Sequence, residues 1–520
     1  VQGPLTSGSA TDDTTPTLSG SGATPGDVIK VYDNASPIGS TTVQPDGSWS
    51  FTPTTPLAEG AHQLTATAID PVGNESKPSG SYVVNIDTTA PIDKATLSAI
   101  GTDTGTSNSD FVTSDRTLVA TITVDAAIEP GATVQISLDS GKTWNNATLV
   151  GGNTYQFDNT AVSLSDGSHT VLTRVVDAAG NAGASSSQVV VIDTSAPTAE
   201  NAVAITAYID DVAPNTGEYG SGTSTNDTTP TLKGTVAGLK TGDVVQIYEG
   251  NVLLGTATVS GSAWTFATPA LTDGSAHSYT AVIADAAGNK GTASAAFSLT
   301  VDTTAPTQAV TIASYTDDIG TNRGDFASGT NTDDTAPVLN GTLSAAIGAT
   351  DVVRIYEGTT LLGTATVTGT SWTFAVPALA SGSTHGYTAA IADAAGNVGA
   401  ASPVFTLTVD TTPPAQNVTI AAYTDDVGTN RGDFASGTTT DDTTPVLRGT
   451  LSEAIGATDV VRIYEGTTLL GTATVTGTTW TFATPALSSG STHTYTAVVA
   501  DAAGNQGASS SGFTLTVSTS

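Results

Sequence analysis

The signature Asp-x-x-Gly-Asn recurs at Asp70, Asp177, Asp285, Asp393 and Asp501, with successive copies 107, 108, 108 and 108 residues apart. A fixed period of about 100 residues, rich in Thr, Val and Gly, is what a string of β-sandwiches produces. The repeat therefore excludes one large domain and divides the 520 residues into five units, each long enough for its own core. The functional question moves from which active site the chain carries to what a string of sandwiches is for.

Charge narrows the partners. The chain carries 48 acidic residues against 14 basic ones, a formal net charge of -34, which excludes nucleic acid as a partner. Many of the acids gather at repeat boundaries, where they point to bound cations. Cysteine is absent, so the sandwiches have no inter-sheet disulfide. No run of 18 apolar residues and no leader-like segment at Val1 occurs, so neither a membrane span nor a secretion signal is expected here, and the segment reads as cut from something longer.

Within the third to fifth units the parts keep constant offsets. Strand-like alternation appears at Val244–Tyr248, Val352–Tyr356 and Val460–Tyr464; a second strand is read over Leu361–Val367, followed by Trp372-Thr373-Phe374. No helical period is sustained, so the fold class is all-β. Trp49, Trp264, Trp372 and Trp480 each precede a Phe by two residues, which puts both rings on one strand face as core anchors. The second unit is a variant, with Tyr155 and Phe157 in that place and Trp144 in a separate turn. Linkers with one Asp and a strand-ending Pro, from Asp87 to Pro91, Asp193 to Pro197, Asp302 to Pro306 and Asp410 to Pro414, set the expected domains at 1–87 (short), 88–193 (variant), 194–302, 303–410 and 411–520.

An immunoglobulin-like topology says which acids can meet. The acidic loop between the first two strands shares one end of the sandwich with the exit of the last strand, and the signature lies at the other end. Stacked end to end, one unit's early loop and linker Asp face the signature of the next. The expected constellations are Asp12, Asp13, Asp87, Asp177 and Asn181 at the first joint, and Asp103, Asp110, Asp115, Asp193, Asp285 and Asn289 at the second. The third groups Asp210, Asp211, Glu218, Asp227, Asp302, Asp393 and Asn397; the fourth groups Asp317, Asp318, Asp325, Asp333, Asp334, Asp410, Asp501 and Asn505. Oxygen donors without His or Cys point to Ca²⁺. Turn capping by Asp, Asn and Thr without metal is the competing explanation.

The Asp-Thr-Thr-Ala-Pro linkers, Asp-Asp-Thr-Thr-Pro segments and Asp-Ala-Ala-Gly-Asn turns resemble the tandem bacterial immunoglobulin-like domains of giant repetitive surface adhesins of the Bap-like and SiiE-like kind. The resemblance covers essentially the whole chain. It implies a non-enzymatic stalk for biofilm formation or cell adhesion, exported by type I secretion to the surface of Gram-negative bacteria, with Ca²⁺ stiffening its joints. It also implies that contacts with host or matrix glycans and proteins lie outside this segment. Domains of roughly 40 Å each would make an elongated rod of roughly 200 Å.

Two alternatives compete. Arg323-Gly324-Asp325 and Arg431-Gly432-Asp433 spell an integrin-recognition tripeptide, but the matching positions elsewhere are Asn108-Ser109-Asp110 and Thr216-Gly217-Glu218, so the acid persists while the arginine does not. A carbohydrate-binding module would need exposed aromatic rings. An enzyme finds less support: His62, His169, His277, His385 and His493 occur once per unit at the start of one strand and are read as structural, with no partnered Ser or Cys nearby.

Overall fold

Alternation decides the strands. In Phe405–Val409, sequence FTLTV, the Phe, Leu and Val are buried and the threonines turn outward, the period-two pattern of a strand with one face on a core. The computed structural model of the chain describes residues 3–198 and 202–519; the outer boundaries expected at 1 and 520 lie outside the described residues. All the regular structure described is strand. Among the described residues, no helix is long and apolar enough to cross a membrane.

The chain divides into two units. One is made of Val1–Ala207, Thr231–Ala267 and Ser278–Phe297, the other of Tyr208–Pro230, Thr268–His277 and Ser298–Ser520. In the second unit, the fourth sandwich has two five-stranded sheets. The first runs Gly324–Phe326, Val310–Asp317, Val338–Leu343, Ser371–Ala375, Thr366–Thr368. The other runs Thr330–Thr332, Phe405–Val409, Thr384–Ala392, Val352–Glu357, Thr360–Thr364. The short Thr330–Thr332 pairs parallel to the last strand, Thr330 opposite Leu407. The fifth sandwich repeats this order.

The segment read as one strand over Leu361–Val367 is two. Ala365 still donates its N–H to Val353 O at 2.8 Å, while Thr366 pairs with Thr373 in the other sheet, so the chain changes sheets there. An edge segment makes this crossing cheaply because it has a partner on one side only.

In the first, second, fourth and fifth sandwiches the core clusters draw on residues of that sandwich alone. Val353, Ile355, Trp372, Tyr387, Phe405 and Leu407 fill the fourth, and their counterparts Val461, Ile463, Trp480, Tyr495, Phe513 and Leu515 fill the fifth. The Trp ring lies over the glycine opposite it, Gly341 or Gly449, where a Cβ would occupy the ring's space. The variant second sandwich closes around Leu97, Ile122, Val134, Ile136 and Tyr155, with Phe157 packed against it. In the first, the second sheet is the two-stranded pair Leu18–Gly20 and Trp49–Phe51, and the buried residues form two small clusters.

Candidate functional site

The signature is a turn that closes on itself and on the linker. Asp501 Oδ1 accepts N–H bonds from Gly504 at 2.8 Å and Asn505 at 2.9 Å, and its Oδ2 accepts the Asn505 amide at 2.9 Å. The same amide group reaches the backbone carbonyl of the linker residue Asp410 at 2.6 Å. The clip recurs from Asn181 to Asp87 O at 2.8 Å, Asn289 to Asp193 O at 2.8 Å and Asn397 to Asp302 O at 2.7 Å. The linker is tied to the preceding sandwich as well, since the N–H groups of Asp87, Asp193, Asp302 and Asp410 donate to the carbonyls of Thr11, Thr113, Thr225 and Thr332. One aspartate thus has its N–H in one sandwich's hydrogen bonding and its C=O in the next one's.

A second glycine, two residues after the signature Asn, completes the clip. The motif is Asp-Ala-Ala-Gly-Asn-x-Gly at the four joints, and a Cβ on Gly183, Gly399 or Gly507 would lie 2.6, 2.5 or 2.5 Å from the carbonyl of Pro91, Pro306 or Pro414; on Gly291 it would lie 3.2 Å from that of Pro197. The signal was legible: the first sandwich has Ser76 there.

The early-loop acids mostly build their own loop. Asp317 accepts the Ile319 N–H on Oδ1 at 3.0 Å and the Thr332 hydroxyl on Oδ2 at 2.5 Å, and Asp334 accepts the Ala336 N–H at 2.8 Å; both are buried. Asp210 and Asp227 do the same through Val212, Thr225 and Thr229. Asp325 receives the Thr316 hydroxyl, Asp115 the N–H and hydroxyl of Thr117, and Asp110 the Val112 N–H. Asp12, Asp13, Asp211, Glu218 and Asp318 are exposed, and Asp13 caps Thr15. Turn chemistry therefore accounts for most of these carboxylates.

The loop also meets the next signature, through residues the acids drew attention away from. Thr321 donates to Gly504 O at 2.7 Å and the Asn322 amide to Ala502 O at 3.3 Å; Thr104 donates to Ala287 O. Gly504 has φ +105°, and a Cβ on it would lie 3.0 Å from that of Asn322. The signature glycine is thus required twice, by its turn and by its neighbour.

Among the described residues three carboxylates keep one buried oxygen unpartnered: Asp33, beside His62, and two in the early loops. Asp333 Oδ1 and Asp103 Oδ1 are buried without a hydrogen-bond partner. Burial, then the charges of Asp317, of Asp501 from the next sandwich and of Asp334, push the Asp333 carboxyl above its usual range. Burial and Asp110 raise Asp103 likewise, against the Phe111 N–H. A hard cation at the fourth joint fits the donor chemistry of Asp333 and its neighbours. Among the described residues, however, no three His, Asp or Glu side chains are grouped so as to hold a metal ion.

Three of the five histidines, expected to have no partnered serine, do have one. Ser275, Ser383 and Ser491 place Oγ 2.6 Å from Nε2 of His277, His385 and His493, and Glu357 and Glu465 stand 2.7 Å from Nδ1 of the last two. Ser-x-His on a strand puts both side chains on one face, so this partnership was legible. Ser383 Oγ also lies 2.5 Å from Ala380 O, so its one hydrogen has two acceptors in reach, and the His385 tautomer sets which of them it serves. In the first sandwich both ring nitrogens of His62 face acceptors, Asp33 at 2.6 Å and Ala58 O at 2.7 Å. Burial opposes the charged ring, but those two hydrogen bonds and the Asp33 charge outweigh it and raise the His62 pKa above 6.5. A raised folded-state pKa gives stability that is full below the unfolded value and lost as pH rises through the folded one. The first sandwich should melt lower at pH 8 than at pH 6, and His62→Gln should flatten that difference in calorimetry.

The Arg-Gly-Asp tripeptides are exposed, but their ends are engaged. Arg323 donates to Gly320 O at 3.1 Å and Arg431 to Gly428 O at 3.1 Å, and each Gly-Asp lies in a short strand paired with the first strand. The four tryptophans followed by Phe serve the cores, and Trp264, Trp372 and Trp480 are each 1% exposed.

Parallel seating of a short early strand on the last strand, a two-sheet core and clipped linkers define a tandem immunoglobulin-like β-sandwich protein. The chain belongs to the bacterial Ig-like domain family, whose profile matches five times, at residues 3–88, 89–194, 203–303, 306–411 and 414–519. No curated protein matches it. Among solved structures it is similar to a tetra-tandem repeat in the extending region of a large adhesion protein (22% identity, 78% of this chain and 98% of that one, TM-score 0.20). It is also similar to a structure described for host cell surface retention of a 1.5-MDa bacterial ice-binding adhesin (20% identity, 58% and 99%, TM-score 0.22). A third is the fibronectin(III)-like modules of Clostridium thermocellum CbhA (15% identity, 36% and 90%, TM-score 0.25).

Proposed function

We propose that this chain is a non-enzymatic stalk segment of a large bacterial surface adhesin, extracellular and exported from a Gram-negative cell by type I secretion, with Ca²⁺ bound at the joints between sandwiches. It would serve as an extender in biofilm formation or cell adhesion, holding a binding end away from the surface. The observation that carries this reading is the repeated joint: the same Asn-to-linker clip at four places, with almost no slack in the linker. A chain selected only for its domains has no reason to repeat its joints. The cation reading is supported by Asp333, whose buried oxygen has no partner and whose charge faces Asp317, Asp334 and Asp501. A divalent ion there would satisfy the oxygen and offset the like charges.

Calorimetric titration with Ca²⁺ tests the site. Without cation, the raised Asp333 pKa means that its ionised form costs folded-state stability, a cost relieved as pH falls through that pKa. Asp333→Asn should therefore raise the melting temperature in chelator and lose part of the Ca²⁺ heat. Equal heats in both proteins would rule against this residue as a ligand.

A further inference from the structure

The joints are not equivalent, and two residues outside the acidic constellations separate them. Strand position Val-Val-x-Ile-Tyr carries Gln246 in the third sandwich, Arg354 in the fourth and Arg462 in the fifth. Against the signature glycine of the next sandwich, Gly288, Gly396 or Gly504, the early loop places Gly105, Asn215 or Asn322. Arginine and asparagine thus occur together. Arg354 Nη2 donates to Asn215 Oδ1 at 2.7 Å; Arg462 donates through Nη1 to Thr321 Oγ1 and through Nη2 to Asn322 Oδ1, both at 2.7 Å. At the second joint the side chain of Gln246 accepts the hydroxyl of its own neighbour Tyr248 at 2.6 Å.

We propose that the Arg–Asn pair is a metal-independent pin that decides which joints stay fixed without cation: the third and fourth hold, and the second, with Gly105 and Gln246, bends. The pin is well built. A planar guanidinium presents two N–H groups in a fixed fork, and at the fourth joint both are used on adjacent loop residues. Its acceptor is seated in turn: Asn322 donates to Ala502 O and packs against Gly504, and Asn215 lies as close to Gly396, where a Cβ would come within 2.9 Å of the asparagine Cβ. The loop tip is held between the signature turn and the arginine, so the two sandwiches cannot rotate without breaking charge-assisted bonds. No carboxylate takes part, and the pin does not depend on the cation reading.

The chain has no cysteine, so spin labels can be placed singly. In the full chain, labels at the exposed positions Thr359→Cys and Thr467→Cys report the width of the distance distribution across the fourth joint; Lys142→Cys and Asn251→Cys report the second. In chelator the fourth joint should be narrow and the second broad. Arg462→Gln or Asn322→Ser should roughly double the fourth-joint width, the double variant should be no broader than either single one, and Arg462→Lys should recover only part. Circular dichroism and melting temperature check that each variant is folded. Equal fourth-joint widths for wild type, Arg462→Gln and Asn322→Ser in chelator would overturn the pin. Wild-type widths that ignore added Ca²⁺ would count against the cation reading alone.

Discussion

Trp480→Ala is expected to cost the fifth sandwich about 3–5 kcal/mol, the usual price of emptying a large buried aromatic site. Trp480 is 1% exposed and packs among Val461, Ile463, Tyr495 and Leu515, all residues of its own sandwich. A domain of this size has about 5–15 kcal/mol in all, so the loss is roughly a fifth or more of its stability. Because the fourth core shares none of these residues, its transition should stay where it was. Hydrogen exchange read by mass spectrometry would locate the loss. Protection should fall across 411–519 and hold across the fourth sandwich, except at the clip. Loss spread evenly over both sandwiches would mean that the units do not fold on separate cores.

Gly507→Ala should loosen the fourth joint at about 1–3 kcal/mol, as overpacking does. The added Cβ would sit 2.5 Å from Pro414 O, an atom of the backbone that cannot turn aside as a side-chain end could. The linker must move away, and the Asn505 bond to Asp410 O, four residues upstream, goes with it. The first sandwich supplies the control. Ser76 occupies the matching position and uses its side chain locally, accepting the Ala68 N–H at 2.9 Å and donating to Lys77 O at 3.0 Å, so a side chain there is compatible with the turn itself. Limited proteolysis at the Asp410–Pro414 linker should therefore speed up in Gly507→Ala while Ser76→Ala leaves cutting at that linker unchanged.

The fold was largely legible because period, alternation and linkers are local signals that five copies repeat. Trp-x-Phe placed the core, and Asp-x-x-Gly-Asn placed one half of the joint. The crossing at Ala365 was missed, since Leu361–Val367 alternates without a break and nothing local says which sheet each half joins. Acids drew the reading of the early loop, yet Asp317 and Asp334 spend their oxygens on Thr332, Ile319 and Ala336 within it. The residues that reach across, Thr321 and Asn322, are uncharged and look like ordinary turn residues. Their partner Arg462 lies 140 residues after Asn322, in a strand pattern that carries Gln elsewhere. Only the three-dimensional arrangement makes Arg and Asn a pair. The Ser-x-His partnership is the opposite case, visible in the spacing alone.

A cation-stiffened stalk and a metal-independent pin make one joint prediction. Removing Ca²⁺ should leave like charges facing each other, with bending concentrated at the second joint, where Gln246 replaces the arginine. Small-angle scattering of the full chain, with millimolar Ca²⁺ and then with chelator, tests that most directly. The account predicts a maximum dimension that shortens in chelator and returns when Ca²⁺ is restored; an unchanged maximum dimension would contradict it.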